Sequence, residues 1–202
     1  MKEHELHNYK LVLQYEGIRY NGWQKQKNQE NTIQEVVENA VFDGTGERAE
    51  VIGSGRTDAG THAMGQVANV KLGQDLEPER LMDNINKHLP SDIKILECEK
   101  VDNRFHARLN AKAKTYMYTL CVGKKPDVFN RRTVLHYCAD LDVNAMKKAA
   151  EYLKGEHDFM SFCSNKRTKK STVRKIYDIE IIKDGDEISS VSYTHLTLPT
   201  IA

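Results

Sequence analysis

No apolar run in this chain approaches the roughly 20 residues that a membrane-spanning helix requires, so no membrane partner is expected. The opening MKEHELHNYK lacks the apolar core of a secretory signal, which points to a cytoplasmic protein. Cysteine is sparse and scattered. Cys98, Cys121, Cys138 and Cys163 form no CxxC pair, which excludes a disulfide framework and a thiolate zinc site and leaves reduced thiols. Charge of one sign is also lacking: the net charge is +1, so the sum alone indicates no nucleic-acid partner. What remains is an ordinary soluble composition, 39% apolar and 29% charged over 202 residues, enough for one large domain or two small ones with real cores.

Distribution says more than the sum. Acidic residues crowd the predicted helices, while cations gather as Arg104 with Arg108, Lys112 with Lys114, Lys124 with Lys125, Arg131 with Arg132, and the run Lys166-Arg167-Thr168-Lys169-Lys170 followed by Arg174 and Lys175. Such segregation builds a basic face on a neutral protein, although each cluster alone reads equally as a solvated loop.

One stretch concentrates chemistry. Gly53–Ala63, GSGRTDAGTHA, holds three glycines, Arg56, Asp58 and His62. Glycine at this density suits a sharply turned backbone or one approached closely by another molecule. Asp58, two residues from a guanidinium, is a candidate for an ionised and desolvated carboxylate. It reads equally as an Asx-turn residue or as the N-cap of a short helix.

Around this loop the periodicities predict alternating strands and helices. Tyr9–Glu16 alternates as a strand buried on one face. The following GIRYNGWQKQ sets Tyr20 and Trp23 among Arg19 and Lys25, a mix that stacks on bases or, for Trp23, plugs a core edge. Thr32-Ile33-Gln34-Glu35 is a capping box opening a helix that ends near Gly44. Ala49–Ile52 and Gln66–Leu72 are strands flanking the glycine loop. Pro78–Leu89 is a helix, Asp92–Val101 a strand, and Arg104–Arg108 a cationic link. Lys112–Val122 is a strand with Tyr116, Tyr118 and Leu120 on one face, where Tyr116 reads as a core aromatic. Asp142 caps a third helix stopped by Gly155, and Gly155–Phe162 is a compact turn. Thr172–Ile182 and Glu187–Val191 form a hairpin about Asp184-Gly185. The fold class is α+β.

In their order these segments resemble the TruA-type tRNA pseudouridine synthases from about Tyr9 to Val191. GRTDAGTHA is similar to that family's catalytic motif almost residue for residue. Tyr20-Asn21-Gly22-Trp23-Gln24-Lys25-Gln26, Phe105-His106-Ala107-Arg108, the Lys112–Tyr118 strand, Gly155-x-x-Asp158-Phe159-x-x-Phe162 and Thr172-Val173-Arg174 follow in series. The resemblance implies two ferredoxin-like halves sharing one mixed, mostly antiparallel sheet, with helices on one face and a cleft between the halves. The corresponding boundaries are 1–104 for the half with the catalytic loop, 105–190 for the second, incomplete half, and 191–202 for a non-native tail. It implies an isomerase that converts uridine to pseudouridine at tRNA nucleotides 38 to 40 of the anticodon stem-loop. It further implies a homodimer that needs no metal or organic cofactor. Asp58 is then the nucleophile or base, because a carboxylate can attack carbon or take a ribose proton and later be released. Arg56 steers the flipped nucleotide and pairs with phosphate or with Asp58, Tyr116 stacks on the uracil, and His106, Arg108 and Arg174 contact the RNA. A tRNA-binding module without turnover is the alternative. A metal-dependent hydrolase built on Asp58, His62 and His106 is disfavoured, because the candidate ligands do not converge at metal-binding spacing.

The resemblance stops at the end. Family members continue with a segment like N-x-F-x-x-x-M-V-R, whose arginine pairs with the catalytic aspartate, where this chain reads Val191-Ser192-Tyr193-Thr194-His195 and then Leu196–Ala202. Loss of one partner of a buried ion pair costs roughly 3–5 kcal/mol, so weak or absent activity is expected of the 202-residue chain. Ordinary turnover in a tritium-release assay on C5-labelled tRNA would contradict this.

Overall fold

The computed structural model describes residues 5–27, 30–123, 128–163 and 171–195. Lys124, Lys125 and the Lys166–Lys170 cluster lie outside the described residues. The chain divides into two units, Met1–Asn110 and Ala111–Ala202. Among the described residues the strands pair into two sheets, one of four strands and one of five, where the resemblance implies a single shared sheet.

The first unit runs β1 (His7–Tyr15), α1 (Ile33–Thr45), β2 (Val51–Gly53), β3 (Ala63–Leu72), α2 (Pro78–Asn86) and β4 (Ile93–Val101). Its sheet has the order β2-β3-β1-β4, all antiparallel, so the chain follows a β-α-β-β-α-β course with β1 in the middle. The alternation in β1 places Tyr9, Leu11, Leu13 and Tyr15 on one face. There they join Ile33, Val37 and Val41 of α1, Leu81 and Ile85 of α2, and Ile93 and Ile95 of β4 in one core. A fully buried aliphatic side chain of this kind contributes about 1.5–3 kcal/mol. Thr32 caps α1 by accepting from the Glu35 amide, as the capping box predicts. The helix ends at Thr45 with Gly46 as its left-handed cap; Gly44 instead lies where α1 meets the Asn84–Ile85 backbone of α2.

The opposite face of β1 carries an unexpected polar pair. Asn8 and Asn69 are 0% and 1% exposed. Asn8 donates to the carbonyls of Asp102 (3.0 Å) and Phe105 (2.9 Å) and accepts from Asn69 (3.1 Å), whose own oxygen accepts from the Ala107 amide (2.8 Å). Buried amides persist only when satisfied in this way, and the pair fastens the Asp102–Ala107 link to the first sheet.

The second unit comprises β5 (Ala113–Val122), β6 (Leu135–Tyr137), α3 (Val143–Glu151), β7 (Gly155–Asp158), β8 (Val173–Asp184) and β9 (Glu187–His195). Its sheet is ordered β6-β5-β9-β8-β7, with β6 parallel to β5 and the other pairs antiparallel. Strand β6 had no signal in the sequence. Asp142 caps α3 by accepting from the amides of Asn144 and Ala145. That helix ends at Glu151, and Gly155 opens β7 rather than stopping the helix. The β8–β9 hairpin turns through Gly185-Asp186, and β9 continues through Val191 to His195, pairing with β5 as far as Ala113. Val122, Ala150 and Ile188 are its buried apolar residues, whereas Tyr116, Met117, Tyr118 and Tyr177 are exposed.

Replacing Asn69 with alanine should lower stability to urea by about 1–3 kcal/mol, because it strands the buried Ala107 amide and the Asn8 oxygen together. Equilibrium denaturation followed by Trp23 fluorescence measures it.

Candidate active site

The loop from Ser54 to His62 connects β2 to β3 and rests against the backbone of residues 17–23. The Trp23 amide donates to the Thr57 carbonyl (3.1 Å), and the Gly60 amide donates to the Tyr20 carbonyl (3.3 Å). Side chains add further ties. The Tyr15 and Thr57 hydroxyls share a 3.0 Å hydrogen bond, and the Gln66 amide donates to the Gly55 carbonyl (2.6 Å). Burial raises the Tyr15 pKa, with the Thr57 bond opposing, so this phenol stays neutral.

Close approach is what the glycines permit. A Cβ on Gly22, whose φ is +79°, would stand 2.5 Å from the Thr57 carbonyl oxygen, and one on Gly17 would stand 1.9 Å from that of Thr61. Trp23 is 1% exposed and lies over Gly53, and Tyr20 is 6% exposed. The aromatics of this loop therefore plug the core, and the exposed stacking surface considered from the sequence is not present.

Asp58 sits at the first position of a turn in which the Thr61 amide donates to its carbonyl (3.1 Å), with Gly60 at φ +80° in the third position. No helix follows, so the N-cap reading falls away. Asp58 and Arg56 are both exposed, and among the described residues no ion pair joins them. The desolvation expected of Asp58 is not found, because its side chain is exposed even though the loop backbone packs against residues 17–23.

His106 and Arg108 are half-buried on the link held by Asn69. The His106 Nδ1 accepts from the amides of Arg108 (3.2 Å) and Leu109 (3.3 Å), which leaves Nε2 as the proton-bearing nitrogen of the neutral ring. No hydrogen bond or ion pair ties these two residues to Asp58 among the described residues.

In the second unit Tyr116 and Arg174 come together. They line a pocket of about 380 Å³ with Lys114, Phe159, Ile176, Thr194 and His195. The register explains it: Lys114, Thr194 and Ile176 lie in one row across β5, β9 and β8. Tyr116 is 56% exposed and is no core aromatic. The Arg174 guanidinium donates to the carbonyls of Ser171 (2.9 Å) and Val173 (2.7 Å). His195 shares a 2.7 Å hydrogen bond with the Tyr177 hydroxyl. Among the described residues no helix is long and apolar enough to cross a membrane.

Asp58 thus stands exposed on a glycine turn of the first unit, and the second unit carries a pocket lined by Tyr116, Phe159, Lys114 and Arg174. A family model described as tRNA pseudouridine synthase matches residues 11–110 and 149–197. The tRNA pseudouridine synthase A 2 of Bacillus cereus (strain ATCC 10987 / NRS 248) is 43% identical over 180 residues, covering 89% of this chain and 74% of that protein. The tRNA pseudouridine synthase A of Bacillus sp. (strain KSM-64) is 45% identical over 176 residues, covering 87% and 72%. That of Wolbachia pipientis wMel is 41% identical over 192 residues, covering 93% and 78%. The chain belongs to the tRNA pseudouridine synthase family. Membership makes it an isomerase that forms pseudouridine in tRNA.

Asp92, just before β4, was not singled out from the sequence. Its side chain is 8% exposed and accepts from the Tyr20 hydroxyl (2.7 Å) and from Arg19 Nε (3.0 Å). Burial opposes its ionisation, but the hydrogen bonds from Tyr20 and Arg19 outweigh it and hold the carboxyl below the ordinary range; burial and the same bond raise the Tyr20 phenol. Arg19 is 64% exposed and screened by solvent, so the Tyr20 bond is the stronger anchor. A pKa lower in the folded than in the unfolded chain contributes stability above the unfolded value of about 3.9, and loses it as pH falls through the folded value. The thermal midpoint of the parent should therefore exceed that of Asp92→Asn by its full margin at pH 7. The margin should shrink as pH falls below about 4, as melts across the acid range would show.

Proposed function

We propose that this chain isomerises uridine to pseudouridine in the anticodon stem-loop, at tRNA nucleotides 38 to 40, with Asp58 as the catalytic carboxylate. The observation that carries the reading is the geometry of its turn. Thr57 and Gly60 on either side are hydrogen-bonded to Trp23, Tyr15 and Tyr20, while the Asp58 carboxylate itself faces solvent, where an extruded nucleotide can meet it. Family membership supplies the substrate class.

The reaction breaks the N1–C1′ bond, turns the uracil and rejoins it through C5; the C5 proton leaves and N1 gains one, so the product is an isomer. A carboxylate serves by attacking carbon or by removing a proton, and no metal or organic cofactor enters. Arg56, exposed two residues away, meets a phosphate of the flipped nucleotide. Tyr116 offers its exposed ring to the uracil, with Arg174 in the same pocket, and His106 and Arg108 contact the RNA backbone. The protein acts in the cytoplasm as a homodimer. A tRNA-binding module without turnover is the second reading, favoured by the absence, among the described residues, of a cation paired with Asp58.

Asp58→Ala separates them when tRNA affinity and pseudouridine formation are measured independently. The proposal expects product to fall by more than about a hundredfold, the lower end of what a positioned acid or base supplies, with affinity within about twofold. Product mapped outside nucleotides 38 to 40 would overturn the positional assignment, and no product from either form would favour the binding module.

A further inference from the structure

The segment that holds the Asp58 turn is itself held, and the holding residue lies outside the motifs that carry the family resemblance. Residues 17–20 form a 3-10 turn closed by the Tyr20 amide donating to the Gly17 carbonyl (2.9 Å). This turn meets the Asp58 loop at both ends: Gly17 abuts the Thr61 backbone, and the Tyr20 carbonyl accepts from the Gly60 amide. The Tyr20 side chain runs the other way, into the core, and ends on Asp92. Asp92 is fixed in turn, because its carbonyl accepts from the Glu16 amide (2.9 Å) and the next residue, Ile93, pairs with Tyr15 across the sheet. Its second carboxylate oxygen takes Arg19, so both outgoing side chains of the turn converge on one acid.

We propose that Asp92 and Tyr20 are positioning residues for the reaction: they transmit the rigidity of the β1–β4 ladder through the residue 17–20 turn to Gly60, and so set the direction of the Asp58 carboxylate. The physical case is a chain of directed contacts: the Tyr20 hydroxyl to Asp92 at 2.7 Å, the Asp92 carbonyl to the Glu16 amide at 2.9 Å, and the Gly60 amide to the Tyr20 carbonyl, the longest, at 3.3 Å. Among the described residues, Tyr20 alone bonds the acid through its side chain and the Asp58 loop through its backbone. A hydroxyl donating to a mostly buried carboxylate is stronger than a neutral pair, and the lowered pKa of Asp92 agrees with its being ionised and engaged. The Gly60 end of the loop is tied to Tyr20 through its amide, while Trp23 and Tyr15 hold the Thr57 end. The inference rests on Asp58 being the catalytic carboxylate. It requires no contact of Asp92 or Tyr20 with the RNA.

Two measurements on the full chain test it. Amide hydrogen exchange of Gly60 should accelerate about tenfold in Tyr20→Phe, which deletes one oxygen, and in Asp92→Ala, while the core amides of Leu11 and Val70 keep parent rates. Asp92→Asn retains an acceptor for the Tyr20 hydroxyl and should show a smaller change. Pseudouridine formation at saturating tRNA should slow about tenfold in Tyr20→Phe, with the tRNA dissociation constant unchanged. Gly60 exchange within twofold of parent in Tyr20→Phe would overturn the proposal. So would acceleration shared uniformly with Leu11 and Val70, which marks general loosening, or a parent rate of product formation in that variant. Should Asp92→Ala fail to fold, Tyr20→Phe carries the test alone. Failure of the Asp58 reading shows separately, as product formed by Asp58→Ala, and leaves the exchange result standing.

Discussion

The first unit depends on two stretches of backbone lying closer than side chains would allow. Residues 17–23 and 57–61 meet across Gly17 and Gly22, and two inter-loop amide bonds span the contact. Each stretch closes only one turn of its own, Gly17 to Tyr20 and Asp58 to Thr61, so each also serves as the other's hydrogen-bonding partner. Trp23 then seals the inner side by covering Gly53, with Tyr15 beside it at a ring-centroid distance of 6.2 Å. Without this contact the Asp58 loop would be a flexible connection between two strands. With it, a solvent-facing carboxylate stands on a base as fixed as the sheet.

The two units achieve order differently. The first surrounds β1 with a continuous apolar core and uses its outer face to hold a polar link through Asn8 and Asn69. Among its described residues the second has few buried apolar side chains, and it is organised by strand pairing, above all β5 with β9 and β9 with β8. Its aromatic residues remain on the surface. That division matches the roles proposed for them: chemistry on the rigid unit, and on the other an open aromatic and cationic surface suited to a nucleic acid.

Much of this was legible in the sequence, and the reasons are local. The Thr32 and Asp142 caps, the period of β1 and the turn at Gly185 are set by neighbouring residues and came out as read. The glycine loop was legible as a sharp turn, while Asp58 alone read equally as an Asx-turn or capping residue, and only the family resemblance singled it out. Other features depend on partners distant in the chain. Whether Trp23 faces solvent is decided by Gly53, and whether Asn8 can be buried is decided by Asp102, Phe105 and Asn69. Asp92 was read only as the first residue of a strand, because its partners lie more than 70 residues earlier. Short β6 pairs in parallel with β5 and carries no period of its own long enough to detect. The helix end near Gly44 came out within one residue, whereas Gly155 misled because glycine marks strand entry as readily as it marks a helix end.

The central place of β1 also governs when the fold can form. Its register neighbours are Leu72 back to Ala63 on one side and Val101 back to Ile93 on the other. During synthesis the strand emerges first and finds neither partner until most of the unit has followed, and each pairing closes a long loop whose entropy must be met before the ladder repays it. The alternating apolar face of Tyr9, Leu11, Leu13 and Tyr15 is therefore exposed throughout that interval. The growing chain is most prone to aggregation while this strand waits, and the unit can be completed only when β4 has left the ribosome.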